Sequence, residues 1–431
     1  MLEFGEGGSM SSAGREYDAI VKRAVEQLRH AGFLSVEHQV RIAGTHSRPD
    51  IVAWAANQDG KVVPWVVIEI KSGSSISKPE FVLPQVAQYA DTLGTVDNYI
   101  VIDDKWFKAD RSFRRLELVS GPTPPPFGSH GDVDDPTVVE PLLTNWLASL
   151  TREMAPSEVS VSLPTLDGFS VSNEAYWRAA MRALADTTSR SGFAHHSSSP
   201  LIASLVARLL GNRLEGLVLD PFAGVGSFLW AVADRVREAM RRGEGPADVR
   251  LVGVELEERT VAIARAIGEM AGVPTEMVAG DAFRVELPVA SAIVTAPPLG
   301  MRLSQPYELL NGRVTTDMDL AAVDLSIRQL EDGGRAVILL PRSFVYRASG
   351  QEYRDYLANE FRVGALIGTP RGAVPGTSVA GVVLVIDKRD APGETFVGQA
   401  ADDDWQVQLG VQGALTKAAV DHLDGFSEAW S

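Results

Sequence analysis

The chain has 431 residues, of which 45% are hydrophobic and 22% are charged, and this length and composition predict two or three soluble globular domains. It contains no cysteine, which excludes disulfides and thiolate metal sites, and no apolar run approaches the ~20 residues that a membrane-spanning helix needs. The first residues also lack a signal-peptide pattern, so we expect a cytoplasmic protein with no membrane contact. The net charge of −16 argues against a non-specific nucleic-acid coat but leaves room for local basic grooves.

The first third of the chain predicts a small mixed sheet that follows a helix. Residues 1–14 are rich in Gly and Ser, which predicts a flexible N-terminus. Apolar residues at helical spacing predict a helix that begins at residue 16 and ends at Gly32. Apolar runs then predict strands at residues 36–42, 50–54, 62–71 and 98–103.

The predicted strand that ends at Lys71 carries the residues that suggest chemistry. Glu69 and Lys71 lie on one face of this strand, and the isoleucines beside them point into the core. If the strand that begins at Asp50 is its antiparallel neighbour, three charged groups converge at one end of the sheet. Two carboxylates can hold a divalent cation that polarises a phosphate, and a lysine can orient the attacking water. The alternative interpretation is an ordinary solvated strand end.

The pairing of Pro49-Asp50 with Glu69-Ile70-Lys71 resembles the PD-(D/E)xK nuclease family. The helix that follows carries Gln85 and Tyr89 at i,i+4 spacing, which resembles the Q-x-x-x-Y element of RecB-type nucleases and type I restriction motor subunits. Glu16 occupies the place where that family often has another acidic residue. The resemblance implies a mixed-sheet nuclease fold that cleaves DNA with Mg²⁺ or Mn²⁺. It implies catalytic roles for Asp50, Glu69, Lys71, Gln85 and Tyr89, and metal ligation by Glu16, Asp50 and Glu69.

A basic and aromatic segment ends this part of the chain, and a Pro-rich stretch follows it. Cations interleaved with aromatic rings predict contact with a phosphate backbone, although such a run is more often a solvated face. The residues are Lys105, Trp106, Phe107, Lys108, Arg111, Phe113, Arg114 and Arg115. The Pro-rich run at 121–136 predicts a spacer, and one short helical segment is predicted near residues 142–150.

The second half of the chain is organised around residues 218–230. An apolar run ends at Asp220, passes through a turn that contains Gly224 and Gly226, and continues as an apolar helix-like segment. This pattern predicts the strand-to-helix turn of a doubly wound nucleotide-binding sheet. Glycine lets the backbone approach a ligand closely and adopt positive φ there. The alternative is a glycine turn in some other Rossmann-like domain.

The sequence Asp220-Pro221-Phe222-Ala223-Gly224-Val225-Gly226-Ser227-Phe228 resembles the first motif of S-adenosylmethionine (SAM)-dependent methyltransferases, in the form used by adenine-N6 DNA methyltransferases. Glu255 ends the next predicted strand, where an acid would hydrogen-bond the ribose hydroxyls. Asp281, followed by Phe283, resembles the family element that accepts from the adenine amine of SAM. Residues 192–200 loosely match the segment that closes over the methionine end. The resemblance implies a Rossmann-like class I SAM-dependent fold with cofactor contacts from Asp220, Phe222, Gly224, Gly226, Glu255, Asp281 and Phe283.

The chain departs from that family directly after the predicted fourth strand. Adenine-N6 and cytosine-N4 methyltransferases carry Asn/Asp-Pro-Pro-Tyr/Phe here, as a catalytic loop, and this chain has Ala296-Pro297-Pro298-Leu299. The family's polar residue accepts from the exocyclic amine of the target base, and its aromatic residue stacks on the flipped base. Ala296 has no acceptor side chain and Leu299 has no π face, although the carbonyl of Pro297 could accept one hydrogen bond. We therefore expect slow or absent methyl transfer.

The later part of the chain resembles the modification subunit of type I restriction systems. The matching stretches are the predicted helix at 320–330, Gly333 to Pro341, Pro370 to Thr377 and the predicted strand at 382–387. The α/β chain is therefore predicted to comprise a flexible N-terminus (1–14), a nuclease-like domain (15–120), a linker (121–174), a methyltransferase-like domain (175–390) and a C-terminal tail (391–431).

Three functions fit these observations. The leading one is a restriction-modification or phage-defence protein that cleaves DNA and binds SAM, alone or with a separate specificity or defence-complex subunit. The second is a SAM-sensing regulator that does not methylate and controls a nuclease. The third is an adenine methyltransferase whose nuclease module is inactive. Tight SAM binding without methyl transfer separates the first from the second, and magnesium-dependent cleavage separates either from the third.

Overall fold

The computed structural model describes residues 12–40, 48–72, 78–128, 130–152, 162–188, 198–212, 214–244, 248–373, 379–389 and 393–428. The chain divides into two compact units. The first comprises Met1–Glu153 with Leu163–Thr187, and the second comprises Met154–Ser162 with Thr188–Ser431. Within the described ranges, no helix combines the length and the apolar character that crossing a membrane requires.

The first unit is built on a mixed sheet. Its elements are α1 (Ser12–His30), β1 (Val36–His38), β2 (Ile51–Ala56), β3 (Val62–Lys71), α2 (Leu83–Leu93), β4 (Asp97–Ile102), β5 (Lys105–Ala109), β6 (Leu116–Val119), β7 (Gly131–Val133), α3 (Pro136–Arg152), β8 (Phe169–Val171) and α4 (Asn173–Thr188). Strands β1 to β6 form a six-stranded sheet in chain order. Only β3 and β4 are parallel neighbours in it. Strands β7 and β8 form a separate parallel pair.

The core of this unit lies between α1 and the sheet. Apolar residues of α1, among them Ile20, Ala24 and Leu28, pack against a buried cluster that includes Ile68 and Ile70 of β3. The register pairs Ile51 with Ile68, so the predicted antiparallel pairing of β2 and β3 is confirmed. The first predicted strand is shorter than expected, because Gln39 adopts a positive φ of 50° directly after β1 and turns the chain.

The stretch predicted as a linker is largely part of the first unit. Helix α3 is longer than the predicted helical segment and buries Val139, Leu142, Leu143 and Leu147. These residues recur at i, i+3, i+4 and i+8, which is the spacing of one helix face, so their burial is that of an amphipathic helix. The proline-rich composition of the surrounding sequence hid this pattern. The Pro-rich run at 121–136 itself contains β7, which pairs with β8.

The second unit is built on one large sheet. Its elements are α5 (Pro200–Leu209), β9 (Gly216–Asp220), α6 (Ser227–Arg242), β10 (Val249–Glu255), α7 (Glu258–Gly268), β11 (Thr275–Ala279), β12 (Ala290–Thr295), β13 (Arg302–Glu308), β14 (Val314–Asp317), α8 (Met318–Gln329), β15 (Leu330–Pro341), α9 (Gln351–Glu360), β16 (Arg362–Gly368), β17 (Gly381–Asp387), β18 (Phe396–Gln399), α10 (Trp405–Gln408) and α11 (Ala414–Glu428). The strand order is β11-β10-β9-β12-β15-β17-β16-β18, and β13 and β14 form a separate hairpin.

This order confirms the predicted doubly wound α/β sheet. Strands β9, β10, β11, β12 and β15 are parallel, and β17 runs antiparallel to both of its neighbours. The chain winds outward from β9 to β11 on one side and from β12 onward on the other. A doubly wound sheet leaves a crevice at the carboxyl ends of the strands where its order reverses, here between β9 and β12.

The predicted C-terminal tail contributes to the sheet and its cover. Strand β18 pairs in parallel with β16, and helix α11 packs on α5. Arg335 of β15 forms a fully buried ion pair with Asp387 at 2.6 Å and donates to the carbonyls of Leu209 and Leu423. The last helices are therefore tied to the sheet through a guanidinium that is 0% exposed, a long-range contact that no local pattern predicts.

Candidate functional sites

The first unit brings together two carboxylates at one end of its sheet. Asp50 lies directly before β2, and Glu69 lies near the end of β3, beside it in the antiparallel register. One oxygen of Asp50 accepts from the backbone N–H of Ile70 at 2.6 Å, and the other accepts from the hydroxyl of Tyr17. The backbone bond holds Asp50 against β3, so the convergence predicted from the sequence is present.

Glu69 is the unusual group of this cluster. Its side chain is buried, with the residue only 3% exposed. Oxygen Oε1 accepts from the ammonium of Lys71 at 2.5 Å and from the amide of Gln85 at 2.8 Å. Oxygen Oε2 is buried and has no hydrogen-bond partner among the described residues. Burial, and secondarily the charge of Asp50, raise the pKa of Glu69 to about 7.

Helix α2 contributes Gln85, which donates to Glu69. Gln85 also donates to the hydroxyl oxygen of Tyr89 at 2.7 Å, and that hydroxyl donates to the carbonyl of Arg48 at 3.2 Å. The i,i+4 spacing places both side chains on the helix face that meets β3. All the residues predicted to be catalytic in the first unit, Asp50, Glu69, Lys71, Gln85 and Tyr89, therefore belong to one hydrogen-bonded or electrostatically coupled cluster.

The predicted role of Glu16 does not fit this geometry. Glu16 is exposed on α1, and its neighbour Tyr17 is the residue that contacts Asp50. Among the described residues, no three His, Cys, Asp or Glu side chains gather into a group that could hold a metal ion. Adjacent positions on a helix point about 100° apart, so a helix that turns Tyr17 toward the sheet turns Glu16 away. Tyr17 was missed because the sequence signal favoured an acid.

The predicted basic and aromatic segment is split by the fold. Trp106 is buried in the core, and Lys108 forms an ion pair with Asp97 at 2.7 Å. Arg111, Arg114 and Arg115 are exposed on the turn between β5 and β6. Lys71 at the end of β3 is level with Ile102 of β4, which is paired with Lys105 at the start of β5. The turn with the arginines follows the other end of β5. The exposed arginines therefore lie at the opposite end of the sheet from the carboxylates.

The glycine turn of the second unit follows β9 as predicted. Gly224 and Gly226 have φ of 55° and 88°, which favour glycine, and a Cβ on Gly226 would lie 2.4 Å from the ring of Trp230. Asp220 ends β9 with its carboxylate buried. Its Oδ1 accepts from the hydroxyl of Thr295 at 2.6 Å and from the backbone of Phe222 at 3.1 Å. Burial raises the pKa of Asp220 to about 7, although these two hydrogen bonds oppose the shift.

The next two acidic strand ends face the same crevice. The carboxylate of Glu255 accepts from the backbone N–H of Gly224 at 3.0 Å and of Glu257 at 2.9 Å, which ties the end of β10 to the glycine turn. Asp281 accepts from the backbone of Phe283 at 3.0 Å and pairs with Arg284 at 3.3 Å. The rings of Phe222 and Phe283 lie 5.7 Å apart and form an aromatic wall.

These residues line a cavity of about 770 Å³, large enough for a nucleoside-sized ligand. Of the predicted cofactor contacts, six line it, and Gly226 shapes the turn without lining the cavity. The six are Asp220, Phe222, Gly224, Glu255, Asp281 and Phe283. All four residues of the predicted catalytic loop, Ala296, Pro297, Pro298 and Leu299, also line it. Ser198 completes one side, whereas residues 192–197 of the predicted closing segment lie outside the described part of the chain.

Comparison with known families agrees with this geometry. The N-6 DNA Methylase family matches residues 179–428, more than half of the chain. The chain belongs to that family. The match runs to the end of α11, so the segment predicted as a tail is part of the methylase region.

The individual relatives of this chain are distant. It is 21% identical over 334 residues to the type I restriction enzyme EcoKI methylase subunit of Escherichia coli (strain K12), covering 70% of the chain and 62% of that subunit. It is 22% identical over 331 residues to the StySPI methylase subunit of Salmonella potsdam, with the same coverage. The chain thus spans less than two thirds of the length of these relatives. A type I restriction-modification methyltransferase subunit from Streptococcus thermophilus superimposes with a TM-score of 0.44 at 18% identity, covering 60% of this chain and 56% of that one.

One wall of the methylase cavity was not foreseen. The hairpin of β13 and β14 directly follows the Ala-Pro-Pro-Leu loop, and its residues from Arg302 to Tyr307 line the cavity. The ring of Tyr307 packs edge-on against Phe283 at 5.4 Å, and its hydroxyl donates to Asp324 at 3.1 Å. Asp324 is fully buried in α8 and also accepts from the hydroxyl of Tyr353 at 2.6 Å. Asp324, an acid between the apolar residues Val323 and Leu325 in the middle of α8, was the available signal for this network.

Proposed function

We propose that the second unit binds SAM and is an adenine-N6 DNA methyltransferase module with an impaired transfer step, and that the first unit is a metal-dependent DNA nuclease. On this proposal the protein acts in restriction-modification or phage defence, with DNA as substrate. A separate specificity or defence-complex subunit is a reasonable partner, because the named relatives are themselves subunits of type I restriction enzymes.

The SAM proposal rests on the three acidic strand ends around one glycine turn. Asp281 lines the cavity and would accept from an adenine amine, and Phe283 and Phe222 would offer apolar faces to a purine ring. Glu255 would exchange its backbone contacts, or add to them, by accepting from ribose hydroxyls. The positive φ of Gly224 lets the backbone approach the ligand. When bound, SAM supplies an electrophilic methyl group.

Impaired transfer is proposed from the loop that borders the same cavity. Before transfer, the amine to be methylated must be held by a hydrogen-bond acceptor, and its base must be held by a stacking surface. The side chains of Ala296 and Leu299, which line the cavity, supply neither. The carbonyl of Pro297 is the acceptor nearest in sequence. Loss of one positioned electrostatic partner typically slows a reaction by roughly 10²–10³. This observation also favours a second candidate function, in which the module senses SAM without transferring its methyl group.

The nuclease proposal rests on the unpartnered oxygen of Glu69. A buried carboxylate oxygen without a donor is costly, and a divalent cation held between Glu69 and Asp50 would satisfy it. When bound, such a cation polarises a phosphodiester and lowers the pKa of a water molecule. Gln85 and Tyr89 hold Glu69 in place. Lys71 offers a positive charge beside the cluster, where charge develops on the phosphate.

Two assays on the full chain test these proposals separately. Calorimetry with SAM, followed by transfer of a tritiated methyl group to varied DNA, tests the second unit. We expect measurable binding and little or no transfer. Incubation of DNA with Mg²⁺, and in parallel with a chelator, tests the first unit. Absent SAM binding would contradict the first proposal, and cleavage that persists in the chelator would contradict the second.

A further inference from the structure

Phe81 is an exposed aromatic residue beside the carboxylate cluster of the first unit. Its side chain belongs to the short 3-10 turn Pro79–Val82 that leads into α2, and the residue is 75% exposed. Phe127, another exposed phenylalanine of this unit, packs edge-on against Trp65 at 6.3 Å. Within the described residues, Phe81 makes no such ring contact. Leaving this ring in water forgoes roughly 1.5–3 kcal/mol of the free energy that its burial would contribute.

The position of Phe81 is determined by its neighbours in the chain. Val82 and Leu83 are buried and anchor the start of α2. Phe81 precedes Gln85 by four residues, which corresponds to about one helical turn, or roughly 6–8 Å along the axis. Gln85 donates to Glu69 at 2.8 Å. Phe81 therefore lies about one helical turn from Gln85, a residue that contacts the buried carboxylate.

We propose that Phe81 is a stacking platform for an unpaired DNA base next to the carboxylate cluster, so that the nucleic acid taken by this site has a single-stranded segment. The inference rests on the proposed nuclease function and specifies its substrate class. A base offers an apolar π face that an exposed phenylalanine can cover, whatever the base identity. Inside a duplex both faces of each base are already stacked, so only an unpaired or extruded base can use the platform.

The charged residues nearest to Phe81 in the chain are Lys78 and Glu80, and both are exposed. Lys78 lies three residues before Phe81, is exposed, and has no ion-pair partner within the described chain. Lys71 lies in the cluster itself. Lys71 is paired with Glu69, so Lys78 is the lysine that would contact the phosphate backbone next to a stacked base, as cations do in single-strand grooves. The exposed arginines of the β5–β6 turn lie at the opposite end of the sheet from the carboxylate cluster, so they are not part of this site.

The test measures binding on the full chain without divalent metal. A thymidine oligonucleotide that carries 5-iododeoxyuridine is irradiated with the protein in chelator, and the crosslinked peptide is identified by mass spectrometry. We expect an adduct on Phe81. By fluorescence anisotropy, we expect Phe81→Ala to weaken binding of the single strand about tenfold and Phe81→Trp to preserve it. The matched control is Leu118→Ala, which truncates another exposed apolar side chain of the same unit, 64% exposed on β6.

Several results would overturn the inference. These are an adduct confined to other peptides, an equal loss of affinity in Leu118→Ala, and equal dependence on Phe81 for blunt duplex DNA. Tighter binding of RNA of the same sequence would overturn the assignment to DNA. The outcome is separable from the nuclease proposal, because binding is read in chelator and cleavage in Mg²⁺. A wild-type chain that does not cleave but binds single strands through Phe81 would contradict the nuclease proposal alone.

Discussion

Each unit buries one carboxylate whose pKa is raised to about 7, and the two differ in what surrounds it. Asp220 accepts hydrogen bonds from Thr295 and from the backbone of Phe222, so it is a satisfied part of the glycine turn. Glu69 faces the charge of Asp50, and within the described part of the chain one of its oxygens has no donor. Burial alone therefore does not distinguish a structural carboxylate from a reactive one. The two differ instead in their partners: one oxygen of Glu69 finds no donor among the described residues, and the proposed cation would bind there.

The largest expected effect is the loss of DNA cleavage when residues of the Glu69 cluster are replaced. Lys71→Ala should reduce magnesium-dependent DNA cleavage on the order of 10³-fold, because it removes the only cation within hydrogen-bond distance of Glu69 among the described residues. Asp50→Ala should do the same by removing half of the proposed cation site. Cleavage is measured on supercoiled plasmid, with Lys61→Ala, an exposed lysine of the same unit, as the control. Wild-type rates in both variants would contradict the proposal.

The second prediction concerns the loop of the methylase region. The double change Ala296→Asn with Leu299→Phe should raise methyl transfer to DNA about 10²-fold, since it restores an acceptor and a stacking face beside the cavity. The readout is tritium incorporated into DNA, with any partner needed for DNA recognition present. Met301→Leu, which alters another lining residue without adding either group, serves as the control. Robust methylation by the unaltered chain would remove the support for the sensing function.

A smaller effect is expected on the affinity for SAM. Glu255→Gln should weaken SAM binding by about tenfold to a hundredfold, because the carboxylate both faces the cavity and holds the backbone of Gly224 at 3.0 Å. Glu276→Gln, an exposed acid on the neighbouring strand β11, is the matched control. Calorimetry compares the two variants. Equal affinity of Glu255→Gln and the unaltered chain would remove Glu255 from the site.

The smallest expected effect is a dependence of stability on pH. Burial raises the pKa of Asp220 from 3.8 to about 7, so between these pH values the folded state binds more protons than the unfolded state. The free energy of unfolding should therefore fall as pH rises through this window. Asp220→Asn should reduce that fall by on the order of 2 kcal/mol between pH 5 and pH 8, measured by urea unfolding. An unchanged pH dependence would contradict the shift.

The same experiment sharpens the comparison of the two carboxylates. The pKa of Glu69 is raised in the same direction, so Glu69 also costs stability as pH rises through about 7. Added Mg²⁺ should offset this cost in the unaltered chain at pH 8 and should have no such effect in Glu69→Gln. Asp220→Asn should keep the full response to Mg²⁺. A response to Mg²⁺ that Glu69→Gln retains would place the cation elsewhere.

Much of the fold was predictable where the signal is local. The strands that end at Lys71, Asp220 and Glu255 were placed from apolar runs that stop at a charged residue, and the glycine turn was placed from its residue types. The amphipathic helix α3 was underestimated because proline-rich sequence surrounds it. The C-terminal tail was misjudged because α11 is tied to the sheet through Arg335, which is distant in sequence.

By itself, the sequence determined the chemical groups available to this protein: acids at strand ends, a glycine turn, and a loop that lacks an acceptor side chain and an aromatic ring. These depend on residue types and short spacings, which strand and helix periodicity express directly. Only the tertiary structure decided that Tyr17 rather than Glu16 meets Asp50 and that Tyr307, bonded to Asp324, forms part of a cavity wall. It also decided that, among the described residues, no donor reaches one oxygen of Glu69. Those facts depend on which side chains from distant segments occupy the same few ångströms, and that is settled by packing of the whole unit.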